Sequence, residues 1–140
     1  MKKTFLSAVL ALGAILCLTG CGNKPSTLVC SQTISGVEAT LTSNFVGKEL
    51  KQMSFNYSMD LSKYSDTYIS AIEKQDFCSS VQKAISQFTL VNCSQKVEDK
   101  KLLVTSGIDI TKLDKKDLVG SPEATKAELE KQGYSCTLKK

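Results

Sequence analysis

Two neighbouring stretches of the chain alternate apolar and polar residues with a period of two, a pattern that suits one half-buried face of a β-sheet. Val37, Ala39, Leu41 and Phe45 fall on one side, with Glu38, Thr40, Thr42 and Asn44 on the other. After a turn at Gly47-Lys48, Met53, Phe55, Tyr57 and Met59 alternate with Gln52, Ser54, Asn56 and Ser58. The two runs predict an antiparallel hairpin. Thr27 to Thr33, ahead of the Ser35-Gly36 turn, adds a third strand, so this part of the chain reads as a three-stranded meander.

From about Ser65 to Phe88 the period becomes helical. Tyr64, Tyr68 and Ile72 share one stripe and Cys78, Val81, Ile85 and Phe88 another. The stripes do not fall on one straight rod, which predicts a break near Gln75 to Phe77. Thr89 to Val97 and Lys101 to Ile110 read as a second hairpin around Glu98-Asp99-Lys100, with Leu102, Val104, Ile108 and Ile110 inward. Ser121 is placed as an N-cap with Pro122 in the first turn and Gly133 as the stop of a last helix, followed by a short strand over Tyr134 to Leu138. The expected fold class is α+β: an antiparallel sheet of five or six strands, a three-stranded meander plus a hairpin, packed against two main helices.

The front of the chain is different in kind. Lys2 and Lys3 precede an apolar run from Phe5 to Leu18, the order of a secretory signal. That run is about 14 residues, short of the roughly 20 that a membrane-spanning helix needs. Leu18-Thr19-Gly20-Cys21 then resembles the lipobox of bacterial lipoprotein precursors. The resemblance implies diacylglyceryl transfer to Cys21 and cleavage before it. Residues 1–20 are therefore expected to be the signal peptide, 21–27 a polar tether and 28–140 a single domain. A soluble secreted protein with a chance cysteine is the alternative.

Without the two signal lysines the formal charge of +4 falls to +2, and no basic patch stands out along the sequence. All 18 basic residues are lysine, and histidine is absent. No His-based triad or zinc ligand set is possible. Without arginine there is no bidentate fork for phosphate or guanine, so nucleic acid is not an expected partner.

Four cysteines remain in the expected mature chain: Cys30, Cys78, Cys93 and Cys136. Their wide spacing and the absence of C-x-x-C argue against zinc or redox chemistry and for two disulfides in an exported domain. Helix rise and strand return favour Cys78 with Cys93, leaving Cys30 for Cys136. A faint internal echo, Cys30-Ser31-Gln32 with Cys93-Ser94-Gln95 and Glu73-Lys74-Gln75 with Glu130-Lys131-Gln132, raises the rival possibility of a duplication. In that case the bridges would be Cys30–Cys78 and Cys93–Cys136.

The lipobox, Gly36-Val37-Glu38 opening an alternating strand, Gly47-Lys48, Asp109-Ile110-Thr111-Lys112-Leu113 and the terminal Leu129-Glu130-Lys131-Gln132-Gly133-Tyr134 together resemble the YehR-like family of small bacterial lipoproteins. The resemblance implies an α+β domain and an envelope location, and brings no catalytic motif.

Other candidate residues have bland readings. Asp109, Asp114 and Asp117 lack the spacing of a calcium loop and read as turn and helix-start residues. Asp66, Glu73 and Asp76 read as a solvated helix face, with an acid pair for glycoside hydrolysis the alternative. Tyr57, Tyr64 and Tyr68 read as core packing, with a groove for sugar or peptide the alternative; Lys100-Lys101 and Lys115-Lys116 fit solubilising turns. The expectation is a non-enzymatic, lipid-anchored extracytoplasmic module that binds an envelope protein, peptide or wall component, with no cofactor and no metal. A carboxylate hydrolase or a purely structural lipoprotein is the alternative.

Overall fold

The alternating runs become adjacent strands in the computed structural model, which describes residues 24–86 and 88–140. β1 (Pro25–Ile34), β2 (Val37–Val46) and β3 (Glu49–Asp60) form the expected meander. β4 (Leu90–Glu98) and β5 (Lys101–Ile108) form the second hairpin, which joins the meander through β5 against β3. The last strand, β6 (Ser135–Lys139), pairs with β1. The result is a single antiparallel sheet ordered β4-β5-β3-β2-β1-β6. Ser35 and Gly36 have φ of 54° and 79°, and Asp99 and Lys100 have 50° and 57°. Two-residue turns with both central φ positive follow the natural twist of a hairpin.

The helical stretch is two short helices, α1 (Asp66–Glu73) and α2 (Phe77–Ala84), broken where the apolar stripes fall out of line. The Ser65 side chain accepts from the Tyr68 amide at the start of α1 (3.3 Å), and Asp76 accepts from the Ser79 amide at the start of α2 (2.9 Å). α3 (Pro122–Lys131) begins with Ser121 accepting from the Ala124 amide at 3.1 Å. Its C-terminal turn ends at Gly133, whose φ is 94°.

Among the described residues, helices cover one face of the sheet. Leu28, Leu41, Phe45 and Met53 pack with Ile85, Phe88 and Leu129 in one cluster. Leu102 and Val104 pack with Leu61, Ile69 and Ile72 in a second. A bulge helps β3 reach this core. Phe45 pairs with Leu50 and Asn44 with Gln52, leaving Lys51 as an extra residue, so Leu50 and Met53 are both buried although three positions apart.

Three expectations change. Pro25 and Ser26, expected in the tether, are strand residues that start β1 ahead of the expected Thr27, whose hydroxyl donates to Asn44 Oδ1 at 2.8 Å across the β1–β2 ladder. Ile110 lies in a 3-10 turn, Ile110–Lys112, because Asp109 ends the strand and caps that turn. The two halves also differ in element order, three strands and two helices against two strands, a helix and a strand, which does not support duplication.

Candidate functional site

The disulfides sit at opposite sides of the sheet. Cys30 of β1 faces Cys136 of β6 directly in register and is bonded to it, tying the last strand to the first. Cys78 of α2 is bonded to Cys93 of β4. This is the pairing that helix rise and strand return favour, and both bridges join the two segments of the weak echo rather than closing each one. Cys93 reaches α2 from a bulge: Val91 pairs with Gly107 and Ser94 with Thr105, while Asn92 takes a φ of 54°.

Polar groups reinforce that junction. Gln95 accepts from the Phe77 amide (2.8 Å) and donates to the Gln75 carbonyl (2.6 Å), holding the α1–α2 break on the sheet. Gln82 donates to the Phe88 carbonyl (2.7 Å) and accepts from the Leu90 amide (2.8 Å), fixing the other end of α2 to the start of β4. α2 has no fully buried residue, so the disulfide and these amides do much of its fastening.

The opposite face of the sheet carries no helix among the described residues, and its side chains are mostly hydroxyls and amides. Thr27, Asn44 and Gln52 lie in one row across β1, β2 and β3. The Thr27 hydroxyl donates to Asn44 Oδ1 at 2.8 Å, and Asn44 Nδ2 donates to Gln52 Oε1 at 3.2 Å. Ser94 and Thr105 hydroxyls lie 2.9 Å apart across β4 and β5. Between β3, β5 and β4 is a shallow groove of about 210 Å³, lined by Asn56, Tyr57, Ser58, Ser94, Lys96, Leu103 and Thr105. The face offers donors and acceptors along its rows, whereas the groove itself presents mainly apolar surface, with Tyr57 and Leu103 in its lining.

Of the carboxylates singled out in the sequence, Asp76 and Asp109 are engaged in capping. Asp76 accepts from the Ser79 amide and hydroxyl, and these bonds hold its carboxyl below the usual aspartate range. Asp109 is likewise lowered, first by the Thr111 hydroxyl, and caps its 3-10 turn. Asp66 is exposed and lies 3.7 Å from Lys100, and Asp114 lies 3.7 Å from Lys116. Glu73 is exposed at the end of α1. Lowered carboxyls held by local amides are poor proton donors near neutral pH.

The tyrosines do not form one groove. Tyr64 and Tyr68 stack on each other at 4.7 Å between ring centroids and are exposed, whereas Tyr57 packs against the second core cluster. Burial raises the Tyr57 phenol above its usual value. Lys100 and Lys101 belong to the β4–β5 turn and the start of β5, and Lys115 and Lys116 to the 3-10 turn Lys115–Leu118. Cys21 and the signal segment lie outside the described residues, as does the side chain of Asp117. Among the described residues no helix is long and apolar enough to cross a membrane.

No family model matches the chain. No curated protein matches it either. Among solved structures it is similar to the NMR structure of a protein from Streptococcus pneumoniae TIGR4, at 18% identity over 89% of this chain and 92% of that one, with a TM-score of 0.48.

Proposed function

We propose that the chain is a lipid-anchored extracytoplasmic binding module, related to the YehR-like lipoproteins. Acyl chains on Cys21 hold it to the cell membrane, and the helix-free face of the sheet meets an envelope protein, peptide or wall component. The observation that carries this reading is the pair of disulfides, Cys30–Cys136 and Cys78–Cys93. Disulfides of this structural kind persist on the oxidising side of a membrane, the side to which a lipobox signal delivers its protein. Two acyl chains make such an anchor effectively stable, each buried methylene contributing about 0.8 kcal/mol.

The test is capture from detergent extracts of cells that make the full chain, the Cys21→Ser variant, or a variant with Thr42→Arg and Asn56→Arg on the open face. The intact protein is expected in the membrane fraction with a bound partner. Cys21→Ser is expected to lose the acyl modification, and the double face variant to stay anchored but lose the partner. Failure of the intact, lipidated protein to retain any envelope component rules out the binding role in favour of a purely structural one.

A further inference from the structure

We propose that the end of the sheet from which the chain leads back to Cys21 is a docking surface for anionic phospholipid headgroups, an inference that rests on the anchored reading above. Antiparallel pairing brings the start of β1, the β2–β3 turn, the end of β5 and the end of β6 to the same end of the sheet. The segment between β5 and α3 crosses that end as well. Glu49 bridges to Val119, the Gly120 amide donates to the Lys48 carbonyl at 2.8 Å, and the Gly47 amide donates to the Lys24 carbonyl at 3.0 Å.

These segments bring together lysines that are scattered in the sequence. Lys51 pairs with Glu49, Lys116 with Asp114 and Lys140 with Glu123, and these charges cancel. In formal charge, paired groups included, Lys24, Lys48, Lys51, Lys112, Lys115, Lys116, Lys139 and Lys140 stand at this end against Glu49, Asp109, Asp114, Asp117 and Glu123, a surplus of three. The other end of the sheet has no such surplus: Glu38, Asp60, Asp66 and Asp99 stand there against Lys63, Lys100 and Lys101. Val46 and Val119, 37% and 56% exposed, add apolar contact at the basic end.

The position of the anchor selects the partner. Cys21 is three residues before Lys24, and three residues span at most about 11 Å however they are arranged. That is close to the Debye length of about 8 to 10 Å at physiological salt. A bilayer holding Cys21 therefore lies within electrostatic reach of this end, and juxtamembrane lysines are attracted to anionic headgroups. Docking this way turns the acidic end outward and fixes the open face roughly along the membrane normal.

The experiment reconstitutes the intact, natively processed protein into phosphatidylcholine vesicles with and without phosphatidylglycerol. Lysines are then labelled with a membrane-impermeant amine reagent and read by peptide mass spectrometry. Flotation first reports anchoring. With phosphatidylglycerol, labelling of Lys112, Lys115 and Lys139 is expected to fall about threefold or more, and to recover at high salt as screening sets in. Lys63, Lys100 and Lys101 are expected to label equally in both vesicles. A Lys112→Glu/Lys115→Glu variant should float normally yet lose the lipid-dependent protection of Lys139. A native protein that does not float removes the anchor and this inference with it. One that floats but labels evenly at both ends overturns this inference alone. Protection by a soluble polyanion such as polyphosphate, without protection by the anionic vesicle, also overturns it by assigning the basic end to a polymer.

Discussion

The two disulfides should contribute unequally, and the difference follows from where they lie in the chain. Cys30–Cys136 closes a loop with a sequence separation of 106, and Cys78–Cys93 one of 15. A cross-link limits the unfolded chain in proportion to the logarithm of loop length. At 25 °C the longer loop contributes about 4.8 kcal/mol and the shorter about 3. In the difference the constant term cancels, leaving about 1.7 kcal/mol from 1.5RT times the logarithm of the ratio of loop lengths. Burial works in the same direction: Cys30 has no exposed surface, whereas Cys78 and Cys93 are half-buried. The assay is urea unfolding, followed by circular dichroism, of the oxidised protein and of the Cys30→Ala/Cys136→Ala and Cys78→Ala/Cys93→Ala variants. The first variant should be the less stable by at least about 1.7 kcal/mol. Equal losses, or a larger loss for the second variant, would refute the loop-length reasoning and place the contribution of the short bridge in its fastening of α2.

Other expectations are smaller in scale. Hydrogen bonds from the Ser79 side chain and then its amide hold the Asp76 carboxyl below its ordinary value of 3.8. A carboxyl depressed in the folded state stabilises above its unfolded pKa and loses that effect as pH falls through the folded one. Asp76→Ala should thus lower Tm at pH 7, with the gap to wild type closing below pH 3.8; a gap constant with pH would contradict the cap. Gly133→Ala places a Cβ at positive φ and 3.0 Å from Gln32 Nε2. It should cost about 1 to 2 kcal/mol, read as a lower urea midpoint at unchanged slope. Gln95→Ala leaves the Phe77 amide and Gln75 carbonyl without their partner. Amide exchange at the start of α2 should then quicken on the order of tenfold, whereas an unchanged rate would show that the disulfide alone fixes the helix.

The sequence was informative where a physical signal was local. Alternation marked β2 and β3, mismatched apolar stripes marked the α1–α2 break, and Ser121 followed by Pro122 marked the start of α3. Signals that depend on pairing were not visible. Pro25 and Ser26 look like a tether by composition but become strand because β2 is long enough to pair with them. The Lys51 bulge shows only once Phe45 has met Leu50. The place of β6 beside β1 is hinted at only by the spacing argument that leaves Cys30 for Cys136. The basic end was hidden for the same reason. Its lysines come from four separate segments, and no run of charge announces them. Capping is an intermediate case: Asp109, read as a turn or helix-start residue, does cap its 3-10 turn, whereas Asp76, read as part of a solvated helix face, caps α2 instead.

Everything proposed about location and orientation returns to the state of Cys21. Intact-mass and N-terminal analysis of the protein purified from its own membranes measures that state directly. The account predicts a chain beginning at Cys21 and heavier than its sequence by a diacylglyceryl group, with or without a further acyl chain on the amino group. A chain that retains residues 1–20, or one that begins at or near Cys21 without added lipid, would contradict it.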